Sequence, residues 1–266
     1  MPELPDVETL RRYFSSTALH QKIESVETNS DYVLKDITPQ WLGRKLSGNA
    51  FSVARRHGKF FFAGLEQSSD WLLLHFGMTG NLKYYQDMDE QPQHELVAFH
   101  FDNGYTLAYV MTRKLGEVRI ISGVDEFIQK RNLGPDVCGD DFTWDCFKSL
   151  LHGRHGMIKP TLMNQSIMAG IGNVYSDEIL YQSRTHPKTP VNHLTGDQMH
   201  RIYDQIDKVL RTAIDHQADP NQFPDSYITP LRGLDEADCP GCSGKLAHLT
   251  VSGRTSYYCP DCQELA

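Results

Sequence analysis

Four cysteines near the C-terminal end have the spacing of a metal site. Cys239 and Cys242 form one Cys-x-x-Cys pair, and Cys259 and Cys262 form a second pair after sixteen intervening residues. Such pairs fit a tetrahedral four-thiolate zinc site, in which no coordination position stays open for a substrate. The sequence therefore predicts one structural Zn²⁺, with a redox dithiol or paired disulfides as the alternative.

The residues between the two pairs have the pattern of a hairpin. The stretch "KLAHLTVSGRTSYY" alternates like two strands around an "SGR" turn, and Arg254 follows the tip. A small module of this kind needs a metal to hold it together. A guanidinium at that position can bind a phosphate or a base edge. From the hairpin alone, a solvated surface arginine is the better interpretation.

A second set of candidate residues surrounds a predicted helix start. In "GIGNVYSDEIL" two glycines precede Asn173, and "GRHGMIKP" upstream supplies Arg154 and Lys159. Free N–H groups at a helix start bind phosphate well, although a plain tight turn also explains the glycines. Two helices flanking a turn, with cations nearby, are a common way to hold a DNA backbone.

A third set lies in the first half of the chain, on short loops. Lys59 follows a glycine in "RRHGKFFF", and "MTRKLG" places Arg113, Lys114 and Leu115 between strands. Met78 occupies the glycine-flanked loop "HFGMTG". A methionine is normally a core residue, but on a loop beside cations it can act as a wedge between bases.

The elements that must position these residues predict an α+β fold. Residues 5–16 have helical spacing, and short apolar runs from about 22 to 122 indicate a sandwich or barrel. Helical periodicity occupies about 124–217, and the Pro- and Asp-rich stretch 218–238 reads as a loop or linker. The predicted domains are a catalytic β-sandwich domain at 1–123, a DNA-binding helical domain at 124–230 and a zinc finger at 231–266.

Composition limits the classes of partner. The formal net charge is −8, which argues mildly against a broadly basic nucleic-acid binder but allows a locally basic groove. A membrane span needs about 18 consecutive apolar residues, and the sequence has no such run. Acidic residues stand at the N-terminus where a signal peptide needs positive charge, so we expect a cytoplasmic protein with no membrane partner.

Taken together, the motifs resemble the bacterial formamidopyrimidine-DNA glycosylase / endonuclease VIII family. The resemblance rests on "PELPDVET", "RRHGK", "HFGMTG", "IKPTLMNQ", "GIGNVYSDEIL" and "CPGC…GRTSYYCPDC". "PELP" and "VET" favour the formamidopyrimidine branch. The resemblance implies an N-terminal helix plus a two-sheet β-sandwich, then a helix–two-turn–helix domain and a zinc finger, with DNA between the halves. It also implies a monomer acting on double-stranded DNA with damaged bases or abasic sites, in the nucleoid region of a bacterium.

The family chemistry gives the extreme N-terminus a purpose. Removal of Met1 would leave Pro2 with a free secondary amine, which can attack C1′ of a damaged nucleoside, expel the base and form an iminium. An α-amino group has a pKa of about 8, so part of it is neutral near pH 7. By this resemblance Pro2 is the Schiff-base nucleophile and Glu3 the general acid/base. Lys59 donates a proton in β-elimination, and Arg254 binds phosphate and serves δ-elimination.

The resemblance also assigns DNA contacts. Met78, Arg113 and Leu115 match the side chains that fill the gap left by a flipped nucleotide, which offsets part of the cost of extrusion. The other matching positions are His94, Arg154, Lys159, Asn173 and Glu178, the last being an acid of the active-site region.

The chain departs from the family pattern at several positions that matter for DNA and lesion recognition. Leu115 replaces an aromatic residue, "QHELV" keeps only His94 of the usual motif, and 218–238 is a short Pro-rich substitute for a longer capping loop. We therefore expect 8-oxoguanine to be a poor substrate, and ring-opened purines or hydantoin-like products to be better ones.

Two other functions are consistent with parts of the sequence. One is a catalytically weak lesion-binding protein on the same scaffold, which the intact set Pro2, Glu3, Lys59 and Arg254 argues against. The other is a zinc-ribbon interaction module fused to an unrelated domain, which explains only the last thirty or so residues.

Overall fold

The computed structural model describes residues 1–113 and 115–265, so Lys114 of the "MTRKLG" loop lies outside the described residues. The chain divides into two compact units. The first comprises Met1–Pro2 and Asp6–Asn132, and the second comprises Glu3–Pro5 with the residues from Leu133 onward. Three residues next to the N-terminus therefore belong to the second unit, although the chain on both sides of them belongs to the first.

The first unit is built on two antiparallel sheets of four strands each, as the family resemblance implied. Helix α1 (Leu4–Thr17) leads into it. In chain order its strands are β1 (Ile23–Thr28), β2 (Phe51–His57), β3 (Phe60–Leu65), β4 (Trp71–His75), β5 (Asn81–Tyr85), β6 (Glu95–Phe101), β7 (Thr106–Val110) and β8 (Glu117–Ile121). One sheet has the order β1-β6-β7-β5 and the other β2-β3-β4-β8. Helices α2 (Pro39–Leu46) and α3 (Val124–Lys130) complete the unit.

Strand β3 is apolar at consecutive positions because both faces of the sheet at this strand are covered. Phe61 points to the main core, where its ring contacts Phe14 at 4.8 Å. Phe60 and Phe62 point the other way, and both rings contact Phe127 of α3, at 5.2 and 5.8 Å. Helix α3 therefore packs on the β-sheet of the first unit, whereas the predicted domain boundary assigned it to the helical domain.

The second unit contains four α-helices and a hairpin. They are α4 (Trp144–Leu151), α5 (Ile158–Met163), α6 (Asn173–Gln182), α7 (Gly196–Asp215) and the strands β9 (Ala247–Val251) and β10 (Arg254–Tyr258). The long α7 begins at a capping box, in which Thr195 and Gln198 exchange side-chain and backbone hydrogen bonds. In α6 every residue from 175 to 181 is buried, so this helix is the centre of the unit.

The segment 218–238 is irregular, as predicted, but it is fixed at several points. Two short 3₁₀ turns, Pro220–Gln222 and Thr229–Leu231, interrupt it. Phe223, Tyr227 and Ile228 are buried in the second unit. The segment is therefore a packed part of this unit and not a free linker. Among the described helices, none has the length and apolar character needed to cross a membrane.

Candidate active site

The carboxylate of Glu3 caps the start of α6. Glu3 is only 1% exposed, although it is the third residue of the chain. Its oxygens accept three backbone hydrogen bonds, from the N–H groups of Gly172 at 2.8 Å, Val174 at 2.9 Å and Tyr175 at 3.3 Å. A negative charge is favoured at this end of a helix, where four N–H groups lack partners within the helix. The N-terminus is therefore held in place.

The glycines of "GIGN" make room for this insertion. A Cβ on Gly172 would lie 2.2 Å from Cδ of Glu3, and a Cβ on Gly170 would lie 2.4 Å from Cδ1 of Leu4. Gly170 also has a φ of +127°, and its carbonyl accepts a hydrogen bond from Leu4 N. The sequence predicted that this helix start could bind phosphate. In the structure Glu3 takes three of the N–H groups that a phosphate would use.

Pro2 is placed by this anchor. It is half-buried and directly precedes Glu3. Consecutive Cα atoms are about 3.8 Å apart, so the Pro2 nitrogen cannot move far from the anchored carboxylate. The nitrogen predicted as nucleophile therefore belongs to the residue directly before the anchored Glu3.

Lys59 lies in the tight turn between β2 and β3. Gly58 adopts the left-handed conformation, with φ of +56°, and its carbonyl accepts a hydrogen bond from the Arg56 guanidinium at 3.1 Å. The Lys59 residue is 8% exposed. Because Phe60 is paired with His75 in the β3–β4 register, Lys59 lies beside the end of β4.

His75 is a candidate that the sequence analysis missed. Gly77 N donates to its Nδ1 at 3.3 Å, so the proton of the neutral ring lies on Nε2, where it can be donated to an anion. Burial lowers the pKa of His75, and the charges of Lys59 and Arg131 lower it further against the opposing effect of Glu117. Its position ahead of the glycine-flanked turn in "HFGMTG" was the available signal.

Met78, Arg113 and Leu115 meet on one exposed tip of the first unit. A guanidinium nitrogen of Arg113 lies 3.8 Å from the sulfur of Met78, and the hydroxyl of Thr79 accepts a bond from Arg113 N at 3.2 Å. A Cβ on Gly77 would lie 2.7 Å from the carbonyl of Leu115, so the two loops are in close contact. Met78 is 39% and Leu115 61% exposed. Two large exposed apolar side chains beside a cation suit contact with stacked bases.

His94 and Arg154 are both exposed residues of loops. His94 precedes β6, and its carbonyl accepts a hydrogen bond from Met111 N at 3.0 Å, which places it near the loop that carries Arg113. Arg154 follows α4 in the second unit, and its Nε donates to the carbonyl of Leu150 at 2.6 Å.

Lys159 and Glu178, which the sequence grouped with the DNA-contacting residues, are internal. Both residues are 0% exposed. The Lys159 ammonium lies 2.6 Å from Asp177, and Glu178 accepts bonds from Thr229 N at 2.8 Å and Thr229 Oγ1 at 2.7 Å. As placed, neither side chain presents its charge to an external ligand. The predicted DNA contacts of these two residues are therefore corrected. Polar side chains of a buried helix must form hydrogen bonds inside the protein.

Replacing Glu178 with glutamine is expected to destabilise the protein by about 1–3 kcal/mol, because a buried donor then loses its acceptor. In the unsubstituted protein Gln182 donates to Glu178 at 2.9 Å. If the oxygen of the new glutamine accepts the bonds from Thr229, the NH₂ group of the same glutamine faces the NH₂ group of Gln182, and two donors then meet. Gln182 cannot turn over without losing its bond to the carbonyl of Ser226. The urea midpoint should fall for Glu178→Gln and stay unchanged for Glu126→Gln, an exposed acid. An unchanged midpoint in both variants would contradict the argument.

Asn173 and Arg254 are brought together by the hairpin. The turn between β9 and β10 has Ser252 and Gly253 at φ of +48° and +75°, the two left-handed positions of a tight two-residue turn. Arg254 follows the turn and is exposed. Asn173, at the start of α6, donates from Nδ2 to the carbonyl of Thr255 at 3.1 Å.

The four cysteines form a site with the geometry of a tetrahedral metal centre. Their sulfur atoms all lie within 4.8 Å of one another, with 3.8 Å between Cys239 and Cys262 and 3.6 Å between Cys242 and Cys259. Four sulfurs at about 2.3 Å from a Zn²⁺ ion would be roughly 3.8 Å apart. The Tyr181 hydroxyl, 3.2 Å from Cys239 Sγ, can donate to a thiolate. The cluster could therefore hold a metal ion.

Comparison with protein-family models gives two matches along the chain. Residues 1–118 match the N-terminal domain of formamidopyrimidine-DNA glycosylase, and residues 133–224 match the H2TH domain of the same enzyme. A formamidopyrimidine-DNA glycosylase of Pelotomaculum thermopropionicum is 31% identical, with 100% of both chains covered. One from Streptococcus pneumoniae is 30% identical, with 99% of both covered.

Solved structures agree with these matches. Lactococcus lactis formamidopyrimidine-DNA glycosylase bound to DNA containing an abasic site is 27% identical, with a TM-score of 0.89 over 99% of this chain and 100% of the other. The same enzyme with DNA containing Fapy-dG is also 27% identical, with a TM-score of 0.88 over 98% and 100% of the two chains.

Proposed function

We propose a two-stage repair chemistry for this chain, which belongs to the formamidopyrimidine-DNA glycosylase family. The chain is a DNA glycosylase of base excision repair. In the proposed reaction it removes oxidised, purine-derived bases from double-stranded DNA through a Schiff base on Pro2, and then cleaves the strand by β,δ-elimination. The observation that carries the proposal is the anchoring of Glu3 on α6, which fixes the N-terminus.

The first stage needs a free amine and a nearby acid. With Met1 removed, the Pro2 nitrogen attacks C1′, the glycosidic bond breaks, and the base leaves with the bonding electrons and takes up a proton. The nitrogen then loses its proton, the C1′–O4′ bond breaks, and O4′ takes up a proton to become the hydroxyl on C4′, which leaves the iminium between C1′ and the nitrogen. We assign to Glu3 the transfer of a proton to that oxygen, because its carboxyl group belongs to the residue next to Pro2. Its anchoring supports this role, because proton transfer needs fixed geometry.

The second stage breaks the strand on both sides of the sugar. Loss of a proton from C2′ of the iminium expels the 3′ phosphate, and a second elimination expels the 5′ phosphate. We assign proton transfer in the first elimination to Lys59. We assign stabilisation of the departing phosphate to Arg254, which is exposed and directly precedes Thr255, the residue bonded to Asn173. A guanidinium can bind phosphate oxygens in pairs.

DNA binding is assigned to a small number of placed groups. The tip formed by Met78, Arg113 and Leu115 would fill the space left by the extruded nucleotide, and exposed cations would hold the phosphates. The net charge of −8 makes these few cations decisive, so binding should weaken as salt increases. We also propose that the cysteine cluster holds one structural Zn²⁺, and that the protein works in the bacterial cytoplasm at the nucleoid.

The anchored 218–238 segment supports a restricted lesion range. Ile228 is fully buried, Thr229 is bonded to Glu178, and Arg232 is paired with Asp177. These anchors leave little chain that could fold over an extruded base. Recognition that depends on enclosing an intact purine ring system would therefore be weak.

We expect ring-opened purines and hydantoin-like lesions to be released at least about tenfold faster than 8-oxoguanine, a difference of about 1.4 kcal/mol in activation free energy. The measurement is single-turnover excision from a panel of duplexes that differ only in the lesion. Protein with a blocked Pro2 is the control for background cleavage. Release of 8-oxoguanine as fast as the other lesions would refute the proposed restriction.

A further inference from the structure

The carboxylate of Asp177 accepts hydrogen bonds from three separate parts of the second unit. It is 1% exposed and lies on α6 next to Glu178. Four groups donate hydrogen bonds to it. They are the Lys159 ammonium of α5 at 2.6 Å, the Ser256 hydroxyl at 2.6 Å and the Tyr257 N–H at 3.0 Å of β10, and the guanidinium of Arg232.

The electrostatics make this carboxylate hard to replace. Two cations share one anion, and the side chains of Lys159, Asp177 and Arg232 are 1%, 0% and 14% exposed. Burial lowers the pKa of Lys159 even though Asp177 opposes the shift. Arg232 also lies over the ring of Tyr257, 4.6 Å from its centroid. Removing one partner of such a group leaves uncompensated buried charge, which is strongly unfavourable.

The hydrogen bonds of α6 reach three consecutive residues of β10. Asn173 binds the carbonyl of Thr255, and Asp177 binds Ser256 and Tyr257. Arg254 directly precedes these residues and is itself exposed. Cys259, which directly follows β10, belongs to the cysteine cluster, so the cluster holds one end of this strand and α6 holds its middle. The position of the Arg254 backbone therefore depends on α6 as well as on the cysteine cluster.

We propose that Asp177 is a positioning residue that holds Arg254 in place for phosphate departure and couples it, through Arg232, to the 227–232 segment. The inference rests on the proposed function, because it assumes that Arg254 serves δ-elimination. Asp177 acts only through other groups, since it is enclosed by its donors.

The test compares elimination products. Asp177→Asn keeps the shape of the side chain but removes its charge and one acceptor. With abasic-site DNA, we expect the yield of δ-product, the upstream strand ending in a 3′ phosphate, to fall by about tenfold, which is the effect of about 1.4 kcal/mol on a rate. The β-product and the borohydride-trapped adduct at Pro2 should be retained, as should the zinc content. Asp207→Asn is the matched control, because this acid pairs with Arg211 on the surface and is 56% exposed.

A double-mutant cycle of Asp177→Asn with Arg254→Ala separates an effect on the position of Arg254 from a general loss of protein structure. If Asp177 acts through Arg254, the double variant should give the same product ratio as Arg254→Ala alone. Ser256→Ala removes a single donor to the carboxylate without leaving a charge unpaired, and should lower the δ-product by about two- to threefold. It decides the question if Asp177→Asn does not fold.

The outcomes can be distinguished. A normal δ-product from Arg254→Ala would overturn the proposed function of Arg254 itself. A reduced δ-product from Arg254→Ala, with normal product from both Asp177→Asn and Ser256→Ala, would overturn the positioning role alone. Additive effects in the double variant would also overturn it, as would parallel loss of adduct and zinc in Asp177→Asn protein that remains folded.

Discussion

One extra residue in front of Pro2 is expected to abolish the borohydride-trapped adduct between the protein and abasic-site DNA. The secondary amine becomes a peptide nitrogen, whose lone pair is delocalised and no longer nucleophilic. We expect the adduct to fall by at least about a thousandfold, because the lost step is the covalent one. Pro2→Gly leaves a primary amine and should retain part of the activity. Binding should persist, since the Glu3 bonds to α6 do not involve the terminal amine.

The experiment requires protein whose first residue is established by mass spectrometry. Binding to DNA with a stable abasic-site analogue is measured in parallel, so that loss of chemistry is separated from loss of affinity. An adduct that survives the extra residue would move the nucleophile elsewhere, with Lys59 the first candidate. No adduct from the protein with a free Pro2, with binding intact, would favour the lesion-binding protein.

Disrupting the metal centre is expected to have the second large effect. The core of the hairpin module is small, with four buried members, Tyr181, Ile228, Cys239 and Cys259. With the proposed zinc bound, metal binding should therefore supply most of its folding free energy, since structural zinc sites contribute about 10–16 kcal/mol in small peptides. Cys259→Ser, or removal of zinc with a chelator, should release the hairpin. Without that support Arg254 is no longer held, and DNA affinity should fall by about a hundredfold or more.

Cys146→Ser is the matched control, because this cysteine is half-buried and lies outside the cluster. It should retain one zinc per chain, normal DNA affinity and normal cleavage. The readouts are metal content, the dissociation constant for abasic-site DNA and the amount of cleaved strand. Normal affinity in zinc-free Cys259→Ser protein would show that the hairpin is not needed for binding.

Local pattern was enough to predict much of the fold. The apolar runs that became β3 and β4, each Cys-x-x-Cys pair and the "SGR" turn depend on neighbours within a few residues, and the structure confirms these strands and the hairpin. The arrangement in two sheets was implied by the family resemblance. The membership of α3 could not be predicted in this way. It depends on Phe127 meeting Phe60 and Phe62, which are distant in sequence.

The candidate site was likewise predictable where it depends on local sequence and not where it depends on residues distant in the chain. The types of the reactive residues follow from the motifs, but the burial of Lys159 and Glu178 depends on what surrounds α5 and α6. The sequence shows that these residues are ionisable but does not show which groups they pair with in the folded protein. The role of the glycines in "GIGN" was likewise hidden, because the side chains that they accommodate belong to Glu3 and Leu4.

The link between Glu3 and α6 also has a consequence for the order of folding. The carboxylate and its first donor, Gly172, are 169 residues apart. During synthesis the N-terminus leaves the ribosome long before its docking site exists, and closure of so long a loop follows local folding. The sheets of the first unit can form while the amine is still mobile. The nascent protein should therefore acquire its stability early and its reactivity late.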